Sequence, residues 1–233
     1  MTTAVPISTI RVGDFIQVAG SHDHSQKTEF AEVIYIPHAY RHRTDPPHFF
    51  DMSRSQSVGR GLSHSPWIKF IEVVTATKSI ALRMTPDHVL PVVSKWRCQA
   101  LLQMCAEERN MHIGTWTSGV RLIYAKDITP GSCLVDASQQ LDVVTSSKQI
   151  WDQSTVHTVV TTQSSGLIVV DGIVVSSFSV NHVLVNMWYE TARWAYGVPY
   201  LRDALASPLT LYVNELIGDV IAALLHAVIL PEY

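Results

Sequence analysis

The segment GLIVVDGIVVSSFSV, residues 166 to 180, constrains the fold more than any other stretch. Two Val/Ile runs flank the dipeptide Asp171-Gly172. β-Branched residues favour extended backbone, and Asp-Gly accommodates the positive φ angles of a two-residue turn. The segment therefore predicts a β-hairpin. Similar apolar runs recur along the chain, each bounded by turn residues. They are Phe15 to Val18 after Gly13-Asp14, 29 to 40 stopping at Pro37, 67 to 75, 80 to 84, 89 to 93, 141 to 145 and 154 to 162. Lys78-Ser79 marks a turn that folds 80 to 84 back on 67 to 75. The expected fold is mainly β.

A short repeat sharpens this expectation. ISTIRVGDFIQV at 7 to 18 matches AKDITPGSCLVD at 125 to 136. Ile10 falls on Ile128, Val12 on Pro130, Gly13 on Gly131 and Ile16 on Leu134. Two related β subdomains, each opening with the same glycine turn, would produce this pattern.

Three stretches have helical periodicity. In 98 to 110, Leu101, Leu102 and Cys105 line one expected face, and Glu107, Glu108 and Arg109 form a polar end. Residues 183 to 196 read as a second helix. Residues 208 to 230 read as a third, nearly all apolar but for a stripe of Glu215, Asp219 and His226. Such a helix must bury its apolar face, against the β domain or against lipid. Spanning a bilayer is disfavoured, because Glu215 and Asp219 would sit within the apolar stretch. The expected organisation is a β domain over 1 to 182 and a helical C-terminal appendage over 183 to 233. The β domain carries a loop insertion at 41 to 66, rich in Ser, Pro, Arg, His and Gly, and a helical insertion at 97 to 121.

Hydrophobic residues make up 47% of the chain and charged residues 16%, enough for a packed core. The net charge of −3 offers no basic field for nucleic acid. The three cysteines are sparse and include no CxxC pair, so no disulfide framework is expected. Cys98 and Cys105 are expected as buried free thiols and Cys133 as a core residue. His22, His24, His42, His48 and His64 cluster in loop-like sequence. Their spacing fits no helical ligand pair and no thiolates accompany them, so no metal and no cofactor are expected.

The stretch IALRMTPDHVLPV places Thr85, Asp87 and His88 between two apolar strands. Polar groups held at strand ends are a common setting for chemistry. Asp87 reads as a turn acid. His182 follows the Ser-rich end of the last strand, as a cap or a neighbour of the site.

Four blocks, IRVGDFIQV, EVIYIPH, LRMTPDHVLPV and GLIVVDGIVVSSF, resemble in that order the Hint domain family of hedgehog proteins and inteins, the hedgehog branch most closely. The resemblance covers about residues 5 to 182 and implies a fold of two pseudo-symmetric β subdomains. It also implies self-catalysed cleavage of a precursor, with the chain's own N-terminal segment as partner in cis. In that chemistry a cysteine sulfur attacks the preceding carbonyl and converts the amide to a thioester. Thr85 and His88 correspond to the family's T-x-x-H pair, which activates the leaving amide nitrogen. His38 falls where a catalytic acid or histidine activates the second nucleophile: a sterol, water or another small molecule. Membership of a hedgehog-like precursor implies the secretory pathway or the extracellular space.

The chain departs from the family pattern in three places. The nucleophilic cysteine belongs on a strand upstream of IRVGD, and the first cysteine here is Cys98. The resemblance thus implies a fragment of a longer precursor, inactive as it stands. The alternative is an inactive scaffold that binds a protein or lipid partner through its tail. Ser177 stands where the hedgehog block carries a cysteine, and His38 stands where animal hedgehogs carry Asp.

Overall fold

The computed structural model describes residues 4–19, 29–36, 67–107, 119–153, 156–178, 182–199 and 201–202, with side chains only to 103 in the third segment. The expected insertion at 41 to 66, the tail at 208 to 230 and its lipid contact, and His22, His24, His38, His42, His48 and His64 lie outside the described residues. The fold is mainly β, with two sheets and two α-helices among the described residues.

The strands are β1 (Phe15–Val18), β2 (Glu29–Tyr35), β3 (Ile68–Thr75), β4 (Leu82–Met84), β5 (Val89–Val93) and β6 (Val120–Tyr124), then β7 (Cys133–Val135), β8 (Leu141–Asp152), β9 (Val160–Thr161), β10 (Leu167–Val170) and β11 (Ile173–Ser176). The helices are α1 (Lys95–Glu107) and α2 (His182–Tyr196). One sheet has the order β11-β10-β1-β2-β9, and the other β4-β3-β8-β7-β5-β6.

The Asp-Gly hairpin forms as its sequence predicts. Val170 pairs with Ile173, and Asp171 and Gly172 take φ of 50° and 77°. Positive φ at both central residues is the turn that matches strand twist. The hairpin of β3 and β4 also forms, with Ile71 opposite Met84. Two elements exceed their sequence signals. β8 continues beyond Thr145 through SSKQIWD, because β3 pairs with it as far as Ile68–Asp152. β6 has no turn-bounded signal of its own and forms against β5, Val89 opposite Tyr124.

The repeat in the sequence is a repeat in three dimensions. Each copy opens with a single 3-10 turn, Ile7–Thr9 and Ala125–Asp127. A β-turn follows, closed by Asp14 N to Arg11 O at 3.1 Å in one copy and Ser132 N to Thr129 O at 3.1 Å in the other. Gly13 and Gly131 occupy the third position with φ of 95° and 89°. A type II turn requires that sign there, and Pro130 suits the position before it. Each glycine N–H then donates to the following long strand, Gly13 to Val33 O and Gly131 to Val144 O, both at 2.8 Å.

The correspondence extends to the whole topology. With β1, β2, β3, β5 and β6 matched to β7, β8, β9, β10 and β11, every pairing of the first sheet has a counterpart in the second. β1–β2 matches β7–β8, β1–β10 matches β7–β5, β2–β9 matches β8–β3, and β10–β11 matches β5–β6. Even the register break is shared: Thr75 faces Val144 while Val74 faces Ser146, and Thr161 faces Val33 while Val160 faces Tyr35. The halves are interlocked, since β3 joins the late-chain β8 and β9 joins the early-chain β2. One apolar core therefore serves both sheets, with Val18, Ile168 and Val175 from one and Val73, Leu90, Leu134 and Val144 from the other.

Two expectations need correction. Cys98 and Cys133 are joined in a disulfide, their Cα atoms 5.7 Å apart, rather than remaining free. Thirty-five residues separate them in sequence, and α1 brings them together by turning back from the end of β5 onto β7. Spacing rules read only near neighbours and cannot register this pair. Within α1, Cys98 and Leu101 pack toward Val93, Cys133 and Val143, whereas Leu102 is exposed. The buried stripe thus runs through Cys98 and Leu101. The side chain of Cys105 lies outside the described residues.

Helix α2 closes one side of the first sheet. Tyr189 stacks on Phe178 and joins a cluster with Ile34 and Val160. Arg193 Nε donates to Thr161 O at 2.9 Å, and Tyr196 donates to Glu32 at 2.6 Å.

Candidate functional site

The tetrapeptide Thr85-Pro86-Asp87-His88 is a tight turn between β4 and β5, closed by His88 N to Thr85 O at 3.0 Å. The opening 3-10 turn of the second repeat clamps it from outside. Ala125 N donates to His88 O at 2.7 Å and Lys126 N to Pro86 O at 3.0 Å. Lys126 Nζ also pairs with Asp87 at 2.9 Å, both side chains largely exposed. Asp87 therefore holds the turn from its solvent side.

The His88 ring reaches in the other direction. Its Nε2 lies 2.6 Å from the main-chain carbonyl of Ser176, at the end of β11. A carbonyl can only accept, so Nε2 carries the hydrogen and Nδ1 keeps its lone pair. Burial of the ring pushes its pKa down to about 4; the bond to Ser176 offsets this in part, and the nearby His182 adds to it. The residue as a whole is half-buried. At neutral pH His88 is an uncharged, oriented imidazole.

The same strand end carries further polar groups. Ser176 Oγ accepts from Phe178 N at 2.9 Å and lies 2.7 Å from His182 Nδ1 at the start of α2. Burial lowers the His182 pKa, Arg193 lowers it further, and a bond to the Ser165 backbone opposes both. Ser177 N donates to Gly166 O at 2.8 Å, but its buried hydroxyl has no partner among the described residues. The buried hydroxyl of Thr85 has none either. A buried hydroxyl without a partner costs about 1–3 kcal/mol.

The pseudo-symmetry singles out this side of the molecule. The bond from Ala125 N to His88 O has its counterpart in Ser177 N to Gly166 O. His88 thus occupies the position that Gly166 holds in the other half. A Cβ on Gly166 would lie 2.7 Å from both Asn186 and Phe178, so α2 and the chain leading to it fill that second position. The two equivalent turns have diverged, and the imidazole is present in one.

Among the residues expected at the site, Thr85 and His88 stand together in the turn. His38 lies two residues beyond the described end of the β2 segment. Ser176 has no signal as a site residue in the sequence, because it acts through its carbonyl. His182, which the sequence leaves as a cap or a neighbour of the site, meets the Ser176 hydroxyl through Nδ1. No group of histidine, cysteine, aspartate or glutamate among the described residues is arranged to hold a metal ion. No helix among them is long and apolar enough to cross a membrane.

No protein-family model and no curated protein matches the chain. Among solved structures, the chain is similar to a crystal structure of the gp41-1 intein carrying three substitutions. The identity is 13% and the TM-score 0.39, over 73% of this chain and 85% of that one. A likeness of this extent assigns neither family nor activity.

Proposed function

We propose that the chain is a Hint-type self-processing domain of the hedgehog style, which cleaves the peptide bond ahead of a cysteine in an N-terminal precursor segment. The observation that carries this reading is the His88–Ser176 bond. It fixes a neutral imidazole with its lone pair on Nδ1, in a turn whose buried threonine hydroxyl has no partner among the described residues. That arrangement suits an amide about to be broken. The Nδ1 lone pair accepts the amide N–H and orients the bond. The Thr85 hydroxyl donates to the carbonyl oxygen as negative charge develops there. Cysteine sulfur then adds to the carbonyl carbon as its thiol proton passes to His88 Nδ1, and the C–N bond breaks as Nδ1 hands that proton to the nitrogen. The product is a thioester and a free amine. Water, a sterol or another small nucleophile next attacks the thioester carbon and releases the cysteine thiolate. Activation of that nucleophile is assigned to His38, on the resemblance of EVIYIPH alone.

The test is to fuse a cysteine-bearing strand and a reporter ahead of Met1 and add dithiothreitol. Thiol capture of a thioester leaves the reporter fragment with a dithiothreitol adduct at its C-terminus, visible by intact mass. A fragment of hydrolytic mass only, made equally without thiol, contradicts the thioester route. An extended chain that stays whole favours the inactive scaffold.

A further inference from the structure

We propose that His182 is a positioning residue for His88, acting through Ser176. The proposal rests on the cleavage reading for its purpose and on geometry for its substance. Ser176 stands between the two imidazoles in the hydrogen-bond chain: its carbonyl accepts from His88 Nε2 at 2.6 Å, and its hydroxyl meets His182 Nδ1 at 2.7 Å. The Ser176 hydroxyl already accepts from Phe178 N, so its own hydrogen is free to go to His182. A bond to the Ser165 backbone raises the His182 pKa. Nδ1 is then the acceptor, and both rings carry hydrogen on Nε2.

This chain of bonds locks the rotamer of Ser176 and the turn that begins at it. The strand ladder pairs Ser176 with Leu167, and the next N–H goes to Gly166, so the backbone leaves the sheet at this point. Its carbonyl is aimed at His88 only while that exit is held. Helix α2, anchored by Phe178, Tyr189 and Arg193, supplies the fixed end of the lock. The helix that follows the β domain thereby sets which nitrogen of His88 is basic.

The direct readout is the tautomer of His88 in the full chain, by two-bond 15N–1H correlation of labelled imidazoles, assigned by the signal lost in His88→Gln. The wild-type ring is the Nε2–H form at neutral pH. In His182→Phe and in Ser176→Ala the Nδ1–H form rises several-fold, and His182→Asn, whose amide oxygen can replace Nδ1 as acceptor, restores the wild-type ratio. Circular dichroism and thermal midpoint check folding. If His182→Phe does not fold, Ser176→Ala, which removes one buried hydroxyl, carries the test. An unchanged His88 tautomer in a folded Ser176→Ala chain overturns the proposal. Because this measurement needs no reaction, a chain that shows the tautomer shift yet never cleaves its extension refutes the cleavage reading while upholding the link.

Discussion

His88 is held neutral by burial, and this has a consequence for stability. Unfolded, the ring titrates near the ordinary histidine value of 6.5; folded, burial brings it to about 4. Between these values the unfolded chain takes up a proton that the folded chain refuses. Its contribution to stability is therefore complete above the unfolded value and is lost as pH falls toward the folded one. The ceiling is on the order of 3 kcal/mol. His157 and His182 are also lowered and act with the same sign. Urea midpoints should fall between neutral pH and about pH 4, and His88→Gln should remove part of that slope. An identical slope in the variant would contradict the burial of this ring. Thr85 and His88 are legible in the sequence because their side-chain types and their place between two strands are. Ser176 is not, because every residue type offers a carbonyl and only the fold decides which one is free.

The matched halves provide an internal control at the level of the strand. Thr75 and Thr161 sit at the same register break in their respective pairs. Thr75 donates to the buried Asp142 at 2.7 Å, and Thr77 adds a backbone and a hydroxyl bond to the same carboxylate. Asp142 corresponds to Ala31 in the other half, and the buried Thr161 hydroxyl has no partner among the described residues. Opposite effects are expected from one substitution. Thr75→Val removes a bond to a charged group and should cost about 2 kcal/mol. Thr161→Val should be neutral or stabilising by up to about 1 kcal/mol. Chemical denaturation of both variants checks this, and equal losses would contradict the pairing. Twelve aligned residues announced the duplication. The exchange of β3 and β9 between halves did not show, since pairing partners so distant in sequence leave no local periodicity. In α1 the apolar pattern was legible, but Leu101 and Leu102 compete for one face and only packing chooses between them.

The whole molecule is closed by contacts between distant parts of the chain. The Cys98–Cys133 disulfide ties α1 to β7, across the junction where the second repeat begins. A cross-link over a loop of this size stabilises by about 4 kcal/mol through the unfolded state. Cys98→Ala, or reduction, should lower the thermal midpoint, and the oxidised, unfolded chain should show one free thiol where the reduced chain shows three. Three free thiols in the native, unreduced protein would contradict the pairing. Two interlocked halves also bring the early turn at 85 to 88 against the late strand end at Ser176, and α2 holds that strand end in place.

The most direct test of self-processing is the rate of thiol-induced cleavage in the N-terminally extended chain, wild type against His88→Ala. A positioned imidazole at the leaving amide predicts a fall of about a hundredfold or more, with folding intact. Equal rates in the two chains, or no cleavage in either, would contradict the role assigned to His88.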